Sequence, residues 1–97
     1  MAMAKRIVIF YQPHCPFCKK AFRYIDECME ENPELRQVEI EKIDELEQPD
    51  YADKFDYYYV PTIYCDGKKL HEGGIFKEEM RGLLTCVLEG KEYTPVK

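Results

Sequence analysis

A chain of 97 residues, 45% apolar and 34% charged, has enough material for one hydrophobic core and is read as a single domain over 1–97. Its formal charge of −5 argues against nucleic acid or an anionic membrane surface as a partner. The basic start, Met1 to Arg6, leads into an apolar run of about five residues, too short for a secretory leader or a membrane span, so a cytoplasmic location is expected.

Lys5 to Tyr11 reads as a central strand, with Ile7-Val8-Ile9-Phe10 apolar on both faces. Gln12-Pro13-His14 forms a loop into Cys15-Pro16-Phe17-Cys18. Pro16 suits an early helical position, where its missing N–H costs little. Phe17, Ala21, Phe22, Ile25, Cys28 and Met29 recur at helical spacing up to about Glu31, and Asn32-Pro33 ends the helix. Arg36 to Ile43 reads as a one-faced strand, Val38 and Ile40 alternating with Glu39 and Glu41. A short helix is expected from Pro49. Val60 to Cys65 reads as a strand led by Pro61, and Asp66-Gly67 is a tight-turn signal into Lys68 to Glu72. After Gly73-Gly74 a last helix carries Phe76, Met80, Leu83, Leu84, Val87 and Leu88 on one face and stops at Gly90. The order β-α-β-α-β-β-α predicts an α/β fold: a mixed four-stranded sheet flanked by helices, its first two strands parallel through a right-handed crossover.

The chemistry concentrates in Cys15 and Cys18. A strand feeding a Cys-x-x-Cys loop that opens a helix is the signature of a redox dithiol. A thiol in the first turn lies near unpaired N–H groups, which favour its thiolate. The second sulfur, one helical turn inward, is within reach to close a disulfide. Cys28, Cys65 and Cys86 fall on separate elements with no second Cys-x-x-Cys and no His-x-x-x-His, so no metal site is expected and all three read as core or near-core thiols. His14 borders Cys15 as a candidate proton shuttle, against the commoner outcome of a solvated loop histidine. Lys19 and Lys20 read as a solvated helix face, and His71 as structural. Tyr57-Tyr58-Tyr59 is a candidate aromatic wall beside the dithiol, against plain sheet packing.

The element order, with Cys-Pro-Phe-Cys after the first strand and Val-Pro-Thr before the third, resembles the thioredoxin fold. Val8-Ile9-Phe10 before the dithiol, Val60-Pro61 and Gly73-Gly74 are similar to glutaredoxins and glutaredoxin-like thioredoxins over roughly residues 5 to 90. The resemblance implies a thiol–disulfide oxidoreductase in electron transport, reducing protein or glutathione mixed disulfides without a bound cofactor. It implies Cys15 as nucleophile and Cys18 as resolving thiol. It further implies Gln12, Pro16, Phe17, Val60, Pro61 and Gly74 as substrate-binding positions, with a cis Val60-Pro61 bond presenting the Val60 main chain to an extended peptide or glutathione. Three positions depart from the family patterns. Ile9 stands at the thioredoxin buried aspartate, Gln12 at a common glutaredoxin basic residue, and Lys77 where an aspartate usually receives the glutathione ammonium. The last two bring forward an alternative donor, a thioredoxin reductase in place of glutathione. A redox-switched peptide-binding module is the alternative outside the enzymes.

Overall fold

The computed structural model describes residues 5–93 as four strands and three α-helices. Met1 to Ala4, part of the segment on which the cytoplasmic expectation rests, lie outside the described residues. Strands β1 (Arg6–Tyr11), β2 (Glu39–Asp44), β3 (Thr62–Cys65) and β4 (Lys68–Glu72) form one sheet in the order β2-β1-β3-β4. β2 runs parallel to β1, while β3 is antiparallel to both β1 and β4. Among the described residues, no helix is long and apolar enough to cross a membrane.

Alternation along β1 explains why the sheet is covered on both sides. Ile7 and Ile9 turn to one face, where they meet Ala21, Ile25 and Cys28 of α1 (Pro16–Glu31) and Met80, Leu83, Leu84 and Val87 of α3 (Lys77–Glu89). Phe10 turns to the other, where Ile43, Tyr64 and Ala52 of the short α2 (Pro49–Ala52) enclose it. The ring of Phe10 is fully buried, with the rings of Tyr51, Phe55, Tyr57 and Tyr64 centred 4.7–6.0 Å away.

Three boundaries differ from the sequence expectation. The second strand begins at Glu39, because Pro33–Gln37 forms a 3-10 turn that seats Leu35 in the core. Asn32 serves both ends of that junction: its N–H donates to the Cys28 carbonyl at 2.9 Å, and its side chain accepts the Glu34 N–H at 3.3 Å. The third strand begins at Thr62, since the chain turns through a cis Val60–Pro61 peptide before pairing with β1. Phe76 is not on the buried face of the last helix. It is the N-cap residue of α3, 77% exposed, and its N–H donates to the Glu79 carboxylate at 2.9 Å.

The β3–β4 turn follows its dipeptide: Asp66 and Gly67 take φ of 50° and 78°, the left-handed pair a tight hairpin needs. Across the top of the helical layer, Lys77 pairs with Glu27 at 3.1 Å and Glu31 at 2.5 Å, and Arg81 with Glu31 at 3.1 Å. These charges clasp α3 to α1 at its surface.

Candidate active site

The parallel pair β1–β2 sets the position of the site. Its register runs from Arg6 opposite Glu39 to Tyr11 opposite Asp44, and continues as the Glu45 N–H donates to the Tyr11 carbonyl at 3.1 Å. The chain leaving β1 therefore emerges beside the chain leaving β2. From there the Gln12 carbonyl accepts the Cys15 N–H at 3.2 Å, closing a turn that delivers Cys15 to the start of α1.

Cys15 is the N-cap residue of α1, with extended backbone, and Pro16 takes the first helical position. The Cys15 sulfur accepts the Cys18 N–H at 3.4 Å, which satisfies one of the unpaired donors of the first turn. On its other side it lies 3.8 Å from the Val60 carbonyl oxygen, toward which its thiol donates. Cys15 is half-buried, whereas Cys18 behind it is 1% exposed. Burial, foremost, pushes the Cys18 thiol up to about 12, with the Cys15 sulfur and the Glu45 charge adding to the rise and a Gln12 main-chain hydrogen bond opposing it. All five cysteines are free thiols. One accessible sulfur thus stands in front of one buried, protonated sulfur.

The other expected positions gather around Cys15. Phe17 is 56% exposed, so it belongs to the mouth of the site and not to the core. Its ring lies over Gly74, where an added Cβ would sit 3.2 Å from Phe17 Cδ1. Gly73, at φ 89°, donates its N–H to the Pro61 carbonyl at 2.8 Å, fastening the glycine pair to the cis-proline turn. Gln12 is engaged sideways, its amide donating to the Glu45 carboxylate. Lys77 points across to α1, where Glu31 foremost and then Glu27 push its ammonium group above the usual lysine range, with burial opposing them.

Of the three tyrosines, Tyr57 packs on Phe10 at 5.1 Å, while Tyr58 and Tyr59 are largely exposed. The wall is therefore split between sheet packing and surface. His14 and Lys19 are exposed, Lys20 lies 5.9 Å from the Phe17 ring centre, and His71 Nε2 makes a hydrogen bond with the Gly74 carbonyl at 2.8 Å. Cys28 is buried, and Cys65 and Cys86 are partly buried against the same core. Among the described residues no cluster of three or more His, Cys, Asp or Glu is arranged to hold a metal ion.

Two residues that sequence reasoning passed over organise the site. Glu72, at the end of β4, accepts the Tyr58 and Tyr59 N–H groups at 2.6 and 3.0 Å and pairs with Lys69 at 2.7 Å, pinning the segment that leads to Val60. Glu45 accepts from Gln12 and from the Tyr57 hydroxyl, the latter at 2.6 Å. The signal for Glu45 was its place one residue beyond β2, legible only once the β1–β2 register is known.

A family model for the thioredoxin domain matches residues 5–85. The chain is 35% identical over 75 residues to a thioredoxin of Methanocaldococcus jannaschii, covering 77% of this chain and 86% of that protein. It is 30% identical to a probable thioredoxin of Methanothermobacter thermautotrophicus, covering 80% and 89% respectively. Among solved structures, Fasciola hepatica thioredoxin superposes with a TM-score of 0.61 at 23% identity, over 82% of this chain and 77% of the other. A protein disulfide oxidoreductase of Aeropyrum pernix gives a TM-score of 0.67 at 24% identity, over 93% of this chain and 39% of that one.

Proposed function

Because the chain belongs to the thioredoxin domain family and is a thiol–disulfide oxidoreductase, we propose that it reduces disulfides in protein substrates through Cys15 and Cys18 and is recharged by a reductase of the thioredoxin reductase class. The observation that carries this reading is the accessible Cys15 sulfur between the α1 start and the Val60 carbonyl, with the protonated Cys18 buried behind it. Cys15, as thiolate, attacks one sulfur of the substrate disulfide; the new S–S bond forms as the old one breaks, and the leaving sulfur carries off the electron pair and takes a proton. Cys18 then attacks Cys15, the mixed disulfide breaks, and the second substrate thiol departs. Two electrons pass to the substrate, and the Cys15–Cys18 disulfide awaits a donor. The reducing cytoplasm is the compartment that supplies such a donor.

The choice of donor rests on two side chains. Gln12 spends its amide on Glu45, and Lys77 spends its ammonium on Glu27 and Glu31, so neither is turned toward a glutathione lying along Val60 and Gly74. Glutathione is the second reading, favoured by the Val60 carbonyl 3.8 Å from Cys15, a contact that suits any extended backbone. Substrate contact is assigned to Val60, whose carbonyl meets the Cys15 sulfur, to Pro61 next to it, and to Phe17 and Gly74, which lie against each other, with Pro16 fixing the backbone between the thiols.

The test is reduction of the Cys15–Cys18 disulfide, followed in parallel with glutathione and with thioredoxin reductase plus NADPH. Fast reduction by the reductase alone is expected; fast reduction by glutathione overturns the donor assignment. Very slow reduction by both would favour a redox-switched peptide-binding module. The Cys18→Ser variant is expected to accumulate a mixed disulfide at Cys15, and failure to form one would remove Cys15 from its role.

A further inference from the structure

We propose that His71 is a positioning residue for protein substrates: its imidazole N–H, donated to the Gly74 carbonyl, sets the glycine turn as a shelf along which an extended substrate segment is aligned with Cys15. The inference deepens the exchange reaction proposed above and rests on it, since Val60 and Gly74 are its substrate contacts. The His71 Nε2 stands 2.8 Å from the Gly74 oxygen. A carbonyl only accepts, so Nε2 carries the hydrogen. The ring takes no part in bond making; it acts through the main chain it holds.

A bulge in β4 aims the ring. Ile63 stands opposite His71 and Tyr64 opposite Lys69, so Leu70 is an extra residue in β4 without a partner of its own. Paired residues share a face of the sheet. His71 therefore lies on the side of Ile63 and the helices, while Lys69 and Glu72 lie on the side of Tyr64. Strict alternation would put Lys69 and Glu72 on opposite faces; with the bulge they pair at 2.7 Å. Two neighbours at one strand end thus hold the two sides of the site. Glu72 takes the Tyr58 and Tyr59 N–H groups ahead of Val60, and His71 takes the Gly74 carbonyl.

Consecutive glycines lose the most conformational freedom when a bound segment orders them. Here the pair is ordered beforehand. Gly73 donates to the Pro61 carbonyl at 2.8 Å, Ile75 after the pair is buried in the core, and the His71 bond holds Gly74 between them. An added Cβ at Gly74 would stand 3.2 Å from Phe17 Cδ1, and one at Gly73 would stand 3.8 Å from Tyr59 Cβ. The shelf therefore runs between two exposed aromatic side chains, Phe17 and Tyr59. A long substrate segment laid along it binds better when the shelf is rigid. A small disulfide that meets only the Cys15 sulfur is indifferent to it.

The test compares a protein disulfide with a small one. Reduced protein is mixed with excess insulin, quenched in acid and alkylated, and the remaining thiols are counted across a range of insulin concentrations. The thionitrobenzoate disulfide is followed in parallel by the coloured thiolate that Cys15 releases. His71→Leu fills much of the ring's space and lacks the donor. It is expected to raise the half-saturating insulin concentration roughly tenfold, the factor for one good hydrogen bond, with the limiting rate and the small-disulfide rate within about twofold of native. His71→Gln, whose amide reaches as far as Nε2, should bring half-saturation back near the native value, and the shorter His71→Asn should not. An unchanged half-saturation in His71→Leu, equal slowing of both disulfides, or no rescue by glutamine overturns the assignment. If His71→Leu does not fold, the contrast of His71→Gln with His71→Asn decides alone. Insulin left unreduced by the native protein would instead bring down the exchange reaction, and the His71 role with it.

Discussion

Replacing Glu72 by glutamine is expected to cost about 2 kcal/mol of stability at neutral pH, estimated from the hydrogen bonds its carboxylate accepts. Its oxygens receive the N–H groups of Tyr58 and Tyr59 and face the Lys69 ammonium. The amide keeps both main-chain bonds in neutral form, and a charged acceptor exceeds a neutral one by about 1 kcal/mol per bond. The carboxyl leads independently to a similar figure. Lys69 first, then the Tyr58 and Tyr59 N–H groups, lower it from 4.5 to about 2. That fall corresponds to about 3 kcal/mol, which solvent screening at this surface position reduces to about 2 kcal/mol. For a domain of this size the loss lowers Tm by roughly 10 °C.

The sign with pH follows from a folded value below the unfolded one. The contribution is fully present above 4.5 and is lost as pH falls through about 2. Urea unfolding of both proteins should therefore show a gap at neutral pH that closes on acidification, and hydrogen exchange at the Tyr58 and Tyr59 amides should quicken in the variant. A Glu72→Gln protein as stable as native at neutral pH, or a gap that persists unchanged in acid, would refute the reasoning.

Phe10→Ala removes a fully buried ring from contact with four aromatic neighbours and is expected to cost about 3–5 kcal/mol in urea unfolding; a cost below about 1 kcal/mol would contradict the packing described. Gly74→Ala brings a methyl to 3.2 Å from Phe17 Cδ1, and because that ring is exposed it should swing aside. Stability is then expected to change by less than about 1 kcal/mol, while turnover of protein disulfides slows more than that of small disulfides; equal slowing would take Phe17 out of substrate contact. The Cys18 thiol, raised from 9.0 to about 12, contributes stability below 9.0 that disappears as pH rises through about 12. The reduced native protein should therefore lose more stability in that alkaline window than Cys18→Ala, as followed by circular dichroism in denaturant, and identical slopes would contradict the buried position of the thiol.

What was legible in the sequence is what repeats or punctuates. The apolar run Ile7 to Phe10 marks a central strand, Asp66-Gly67 marks its turn with both φ values positive, and Cys15-Pro16-Phe17-Cys18 marks the start of α1. The 3-10 turn at Pro33–Gln37 was not legible, because Asn32-Pro33 signals only that a helix ends and Leu35 is a single buried residue without a period. Glu45 and Glu72 were hidden for a different reason. Each is one charge among many in the sequence, and each acts through partners such as Gln12 and Tyr58 that the sheet, not the local chain, brings near. Lys77 reads in the sequence as a charge facing a ligand; the packing of α3 on α1 turns it to Glu27 and Glu31 instead.

Among the described residues the sheet order leaves β2 and β4 at its two margins, each with one side free of a neighbouring strand. Such margins invite further strands from other molecules. β2 is studded with Glu39, Glu41, Lys42 and Asp44, and β4 opens with Lys68 and Lys69. Two molecules meeting margin to margin along β2 would press acidic rows together and strip water from them. The protein is therefore expected to stay dispersed when concentrated at neutral pH, and to scatter light as those carboxylates are neutralised by acid.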